Sequence, residues 1–191
     1  MVLFMKYPNG IAKEYKTKQS HSNRGMTLEN ELNMTNDYYL NNNIAVIYKK
    51  PTPITINKVD YKSRNNATIN EAHFKTPSTT DYNGVYNGLY IDFEAKETRK
   101  LYFPLANIHK HQIIHLKRIM ECGGIGFIIV RFIKIEKTYC LSIKNLLVFL
   151  EKNARKSIPL VYFEDNGYLI KQGYNPCLDY LSIIKYIRSE L

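Results

Sequence analysis

Two carboxylates and an ammonium group stand out in this chain of 191 residues: Asp81, Glu94 and Lys96. Glu94 and Lys96 lie in the run Leu89 to Lys96, where Leu89, Ile91, Phe93 and Ala95 alternate with Tyr90, Asp92, Glu94 and Lys96. A period of two reads as a strand, so both polar side chains leave the same face. Asp81 follows Thr79-Thr80 and precedes two expected glycine turns, at Gly84 and Gly88, which would bring it alongside. Two carboxylates suit Mg²⁺ or Mn²⁺, hard cations that take oxygen ligands and keep several waters. A lysine beside them can hold an attacking water or meet the charge building on a phosphate. The same spacing also describes a solvated strand face with cross-strand ion pairs, the commoner use of these residues. Asp92, on the same face, is a rival ligand.

Several elements must position this set. Thr27 reads as the N-cap of a helix from Leu28 to about Leu40, with Glu29 and Glu31 in its first turn. Ile44 to Tyr48 reads as a short strand. Between Lys49 and Thr80 the character changes: Ile54-Thr55-Ile56 and Ala67 to Phe74 are β-prone and flank the polar tip Lys62-Ser63-Arg64-Asn65-Asn66. This predicts a basic two-stranded projection, or an ordinary edge hairpin. A helix is expected from about Asn107 to Glu121, ended by Gly123-Gly124, and Gly126 to Val130 is a fully apolar central strand. Tyr139 to Leu141 reads as a strand, and Ser142 as the cap of a helix to about Asn153. Leu160 to Phe163 reads as a further strand, and Leu178 to Arg188 as a closing helix. The sum is a mixed α/β sheet flanked by helices.

Composition narrows the function classes. With 45% hydrophobic and 23% charged residues the chain can bury a core, which excludes wholesale disorder and a fibrous repeat. The 27 Lys+Arg against 17 Asp+Glu give 27 − 17 = +10. Such a charge argues for an anionic partner, nucleic acid before a membrane surface, unless the excess lysine reflects an AT-rich genome. Cys122, Cys140 and Cys177 are too far apart for a zinc site and suit reduced thiols in the cytoplasm. The apolar start, Met1 to Met5, is too short for a signal peptide, and Met5 is itself an alternative start. No run approaches a membrane span. Lys6, Lys13, Lys16, Lys18 and Arg24 face only Glu14, so residues 1–24 read as a flexible basic arm ahead of a domain over 25–191. His111 and His115 are four apart, a zinc-like spacing, but without the Glu of His-Glu-x-x-His they read as helix-surface or DNA-facing histidines.

Asp81-x₁₂-Glu94-x-Lys96 resembles the signature of the PD-(D/E)XK nuclease superfamily. Longer blocks resemble the RecU Holliday-junction resolvase family: Lys49-Lys50-Pro51-Thr52-Pro53, Thr76 to Gly88, and Ile91 to Thr98. Tyr7 to Gly10, Arg24-Gly25-Met26, Ile69 to Ala72, Phe103-Pro104-Leu105, His111-Gln112 and Leu178 to Leu181 extend the likeness over nearly the whole chain. Thr80, where the superfamily has proline, agrees with the narrower family.

The resemblance implies a restriction-endonuclease-like fold, a homodimer, and Mg²⁺-dependent cleavage of four-way junctions by paired nicks, with Mn²⁺ a possible substitute. It implies that Asp81 and Glu94 bind the metal with the Ala95 carbonyl, that Lys96 assists catalysis, and that Gln112 is a polar active-site residue. Glu29 is a possible accessory acid on the first helix, although Glu31 is close by. The family's stalk, which enters a junction, falls on about residues 50–74. DNA contacts are expected from Arg24, Lys58, Lys62, Arg64, Phe74, Lys75, Thr79 and Thr80. Phe74 would stack on a base, or else fill the core at the stalk's base. A strand-exchange recombinase and a branch-migration motor are further partners, with no membrane involved. Two other readings remain open from the residues: a junction-bridging protein without catalysis, and a sequence-specific restriction-type endonuclease.

Overall fold

The structure, a computed structural model, describes residues 27–61, 63, 67–74 and 79–190. The expected basic arm with Arg24 lies outside these residues, as do Lys62, Arg64 and Lys75. In chain order the elements are α1 (Leu28–Asn41), β1 (Val46–Lys49), β2 (Ile54–Asp60), β3 (Thr68–Phe74), β4 (Tyr82–Tyr86), β5 (Leu89–Thr98) and β6 (Tyr102–Pro104). They continue as α2 (Lys110–Glu121), β7 (Ile125–Phe132), β8 (Lys137–Ser142), α3 (Ile143–Lys152), β9 (Ser157–Pro159) and α4 (Leu160–Asn166). The chain closes with β10 (Tyr168–Leu169), β11 (Lys171–Gln172), β12 (Leu178–Asp179) and α5 (Leu181–Glu190).

Six strands form one mixed sheet in the order β1-β4-β5-β7-β8-β10, antiparallel except for the parallel pair β5–β7. All eight residues of β7 are buried, which is why its sequence is almost wholly apolar. Alternation along β7 splits the core in two. Phe127 and Ile129 join Leu32, Phe93, Tyr180 and Ile184 on the face covered by α1 and α5. Ile128 and Val130 join Leu116, Leu146, Phe149 and Phe163 on the face covered by α2, α3 and α4. No helix among the described residues is long and apolar enough to cross a membrane.

Both expected side-chain caps form: Thr27 Oγ1 accepts from the Asn30 amide at 3.3 Å and Ser142 Oγ from the Asn145 amide at 3.2 Å. Between β1 and β4 lies an exposed two-stranded ribbon. Among the described residues β2 and β3 pair only with each other, from Ile54 opposite Phe74 to Asp60 opposite Thr68, and every residue in them is exposed.

Three expectations need correction. Leu160 to Phe163 begins α4 rather than a strand, because packing overrides β propensity in a short apolar run. Phe163 is buried edge-on against Phe132, and the Tyr162 hydroxyl donates to the Asn145 carbonyl at 2.8 Å. Leu178 and Asp179 pair with β11, so the closing helix starts only at Leu181. Gly84 makes no turn. It sits within β4 opposite Ile47, and a Cβ there would lie 2.0 Å from the Val46 carbonyl oxygen. The glycine permits close approach of β1 and β4. The real turn is Asn87-Gly88, with φ of 49° and 74°, which suits a tight hairpin.

Candidate active site

Register brings the acids together. Tyr82 of β4 lies opposite Phe93 of β5, and Phe93 beside Phe127 of β7, so the three rings stack at 4.8 and 4.9 Å. This buried ladder fixes the sheet beside Asp81 and Glu94. One step beyond Tyr82 is Asp81, whose amide donates to Glu94 Oε2 at 3.1 Å. Lys96 Nζ forms an ion pair with Glu94 Oε1 and stands 3.7 Å from Asp81 Oδ2. Two carboxylates and an ammonium therefore converge here, a placement that spacing alone left open.

Their surroundings differ from a solvated strand face. Asp92 and Glu94 are both fully buried, while Lys96 and Asp81 are partly open. Beside Asp81 and Lys96 is a cleft of about 340 Å³, also lined by Glu29, Ala95 and Glu97. Burial pushes the Glu94 carboxyl up from 4.5 to about 7; Lys96 pulls it down and Asp81 pushes it up. Folded Glu94 thus keeps its proton to a higher pH than the unfolded chain does. Between about 4.5 and about 7 the folded state binds more protons, so stability falls as pH rises. Without divalent cation, Glu94→Gln should be more stable than wild type at pH 8 by up to about 3 kcal/mol. The gain should vanish as pH falls to 4.5, which urea titrations at the two pH values check.

The acids fit a divalent cation. Glu94 Oε1 is buried and accepts no directed hydrogen bond, leaving the lysine ion pair as its compensation. Asp81 is 39% exposed at the cleft, and Ala95 lines the same space. Among the described residues no group of three or more His, Cys, Asp or Glu side chains could hold a metal. Two carboxylates beside an open cleft are a donor set that would suit a cation that keeps waters.

Asp92, the rival ligand, is engaged by protein donors at both oxygens. Its Oδ1 accepts from the Thr80 hydroxyl, and its Oδ2 faces Lys50 Nζ at 2.8 Å, the Tyr90 hydroxyl at 3.0 Å and His115 Nε2 at 3.1 Å. Thr80 is accordingly 3% exposed, so its side chain is built into the protein rather than offered to DNA. Thr79 is half-buried. Glu29 borders the cleft but pairs with Lys49. Glu31 points away, into a buried pair with Arg131. Gln112 is buried and caps α2, its Oε1 accepting from the His109 amide at 2.9 Å. It does not line the cleft. Lys58 is exposed on the ribbon opposite Glu71. Phe74, at 83% exposure, is no core residue.

Sequence reasoning missed Glu97, which borders the cleft and accepts the Leu28 amide at 2.9 Å, fixing the start of α1. Its place beside Lys96 was the available signal. It also missed the gathering at Asp92, whose donors come from four separate segments.

A family profile described as Recombination protein U matches residues 23–186. Holliday junction resolvase RecU of Geobacillus sp. (strain WCH70) is 49% identical over 199 residues, covering 97% of this chain and 98% of that protein. Holliday junction resolvase RecU of Bacillus mycoides (strain KBAB4) is 48% identical, covering 94% and 96%. Among solved structures, Hjc of Archaeoglobus fulgidus, a Holliday junction resolvase, overlays with a TM-score of 0.44 at 9% identity, covering 72% of this chain and 94% of that one. With a matching profile over most of its length and full-length relatives near half identity, the chain belongs to the Recombination protein U family.

Proposed function

We propose that the protein is a structure-selective endonuclease that resolves four-way DNA junctions by metal-dependent phosphodiester hydrolysis, nicking opposed strands in recombination and repair. The observation that carries this reading is the convergence of Asp81, half-open to a cleft, with buried Glu94 and the Lys96 ammonium. The names of its full-length relatives support the junction as substrate.

The carboxylates of Asp81 and Glu94, with the Ala95 carbonyl, would hold Mg²⁺, or Mn²⁺ in its place. The bound cation would supply stabilisation for charge developing on the phosphate. Lys96 Nζ, at the cleft, donates to a non-bridging phosphate oxygen and strengthens that contact as the transition state forms. Water attacks the phosphorus in line, the P–O3′ bond breaks, and the products carry 5′-phosphate and 3′-hydroxyl ends that ligase seals. Two nicks need two such sites, which a homodimer supplies. Junction processing also calls for a recombinase and a branch-migration motor as partners, and places the work in the cytoplasm.

The ribbon is the element suited to the open centre of a junction. Its apolar side chains Ile56, Tyr61, Ile69 and Phe74 are exposed, as is Lys58. Stacking on a base is worth about 1–3 kcal/mol. Phe74→Ala should therefore weaken junction binding roughly tenfold or more at fixed salt and leave linear duplex binding unchanged, as gel-shift titrations would read. Equal loss on both DNAs would place Phe74 outside junction recognition. The function itself is tested by offering a labelled four-way junction and a linear duplex of the same sequences side by side. Preferred cutting of the junction supports the proposal; preferred cutting of the duplex favours a restriction-type enzyme.

A further inference from the structure

We propose that Asp92 is a positioning residue for cleavage: with Lys50 and Thr80 it clamps the two ends of the insertion that carries the ribbon, and so fixes the backbone on which Asp81 is mounted. The proposal rests on the junction-cleaving reading and deepens it.

The insertion leaves the sheet at the end of β1 and returns at Thr80, just before β4. Lys50 is the first residue outward and Thr80 the last residue back. Lys50 Nζ donates to Thr80 Oγ1 at 3.0 Å and to Asp92 Oδ2 at 2.8 Å, while the Thr80 hydroxyl donates to Asp92 Oδ1. Both ends are thus tied to one buried carboxylate. The Lys50 amide also donates to the Asp81 carbonyl oxygen at 2.7 Å. Asp81 is held on both sides: its amide on Glu94, its carbonyl on Lys50, and its preceding side chain on Asp92.

Asp92 can do this because it has nothing else to do. An ionised carboxylate has about four acceptor sites. Thr80 takes Oδ1, Lys50, Tyr90 and His115 crowd Oδ2, and Asn83 Nδ2 in turn donates to the Tyr90 hydroxyl at 3.0 Å. Asp92 is thus engaged by protein donors at both oxygens, although it stands only two residues before Glu94 on the same strand face. His115 brings in α2 and Tyr90 the start of β5, so the clamp is braced from both sides. A reacting carboxylate displaced by about 1 Å can cost ~100-fold in rate. The clamp is the device that prevents this at the junction between ribbon and sheet.

The test compares Thr80→Val, which keeps the shape and removes the hydroxyl, with Thr80→Ser, which keeps the hydroxyl. Phe149→Leu, a core change in α3 far from the cleft, serves as a control for lost stability. Single-turnover cleavage of a labelled four-way junction is measured in Mg²⁺, and junction binding in EDTA. Thr80→Val should cut about 10- to 100-fold more slowly with unchanged binding, and Thr80→Ser should return to within about threefold of wild type. Asp92→Asn, of equal volume, carries the same comparison should Thr80→Val not fold. Wild-type speed in Thr80→Val would overturn the proposal. So would weakened binding, which would make Thr80 a DNA contact, failure of serine to rescue, or equal slowing in Phe149→Leu. A wild-type protein that leaves the junction uncut would instead overturn the functional reading itself.

Discussion

Asp81→Asn should bind four-way junctions as tightly as wild type and cut them at least about 1,000-fold more slowly. The substitution keeps the volume and the amide that donates to Glu94 Oε2, but removes the more open of the two acids at the cleft. A loss of several kcal/mol in transition-state stabilisation corresponds to such a factor. Binding should survive because the proposed contacts, lysines and the ribbon, are left alone by the substitution. Binding of either protein should fall steeply with salt, since each neutralised phosphate releases counterions. Quench-flow or gel-based single-turnover rates, with parallel gel shifts, separate the two quantities. A variant that both binds and cuts normally would remove Asp81 from the chemistry.

The second large effect concerns folding. Glu31→Ala should lower stability by about 3–5 kcal/mol, because it leaves a buried guanidinium without its main partner. Arg131 is 9% exposed and Glu31 6%. Arg131 Nη1 and Nη2 reach Glu31 at 3.1 and 2.5 Å, and its Nε donates to Thr138 Oγ1 at 3.2 Å. After the substitution, among the described residues, Thr138 and a distant Glu97 carboxylate at 3.9 Å would remain. Replacing both partners with apolar residues, Glu31→Met with Arg131→Leu, should recover most of the loss, since no charge is then left buried. Urea unfolding with a constant slope gives the comparison. A loss below about 1 kcal/mol for Glu31→Ala would show that water reaches the arginine. The pair matters for function too: it ties the first turn of α1 to the centre of the sheet, and that turn carries Glu29 at the cleft.

Much of this site was legible before any coordinates. Asp81, Glu94 and Lys96 are separated by a strand period and a hairpin, both local features, and local features are what a sequence states most directly. The caps at Thr27 and Ser142 and the apolar run of β7 belong to the same class. What could not be read were decisions made by distant packing. Asp92 and Glu94 have the same chemistry and the same strand face, yet one meets four donors and the other has a carboxylate oxygen without a directed hydrogen bond. Only the convergence of Lys50, Thr80, Tyr90 and His115 separates them. The run Leu160 to Phe163 becomes helical because Phe163 must fill a hole beside Phe132 that β7 creates from afar. Gly84 looks like a turn until β1 is seen running against it.

The most direct measurement is nick mapping on a four-way junction labelled in turn on each strand, with wild type and Asp81→Asn run together in Mg²⁺. Wild type should place nicks at symmetric positions in two opposed strands, with ends that ligase seals, while Asp81→Asn holds the junction intact. Equal cutting by both proteins, or an uncut junction with wild type, would contradict the assignment of this carboxylate–lysine cluster as a junction-cleaving site.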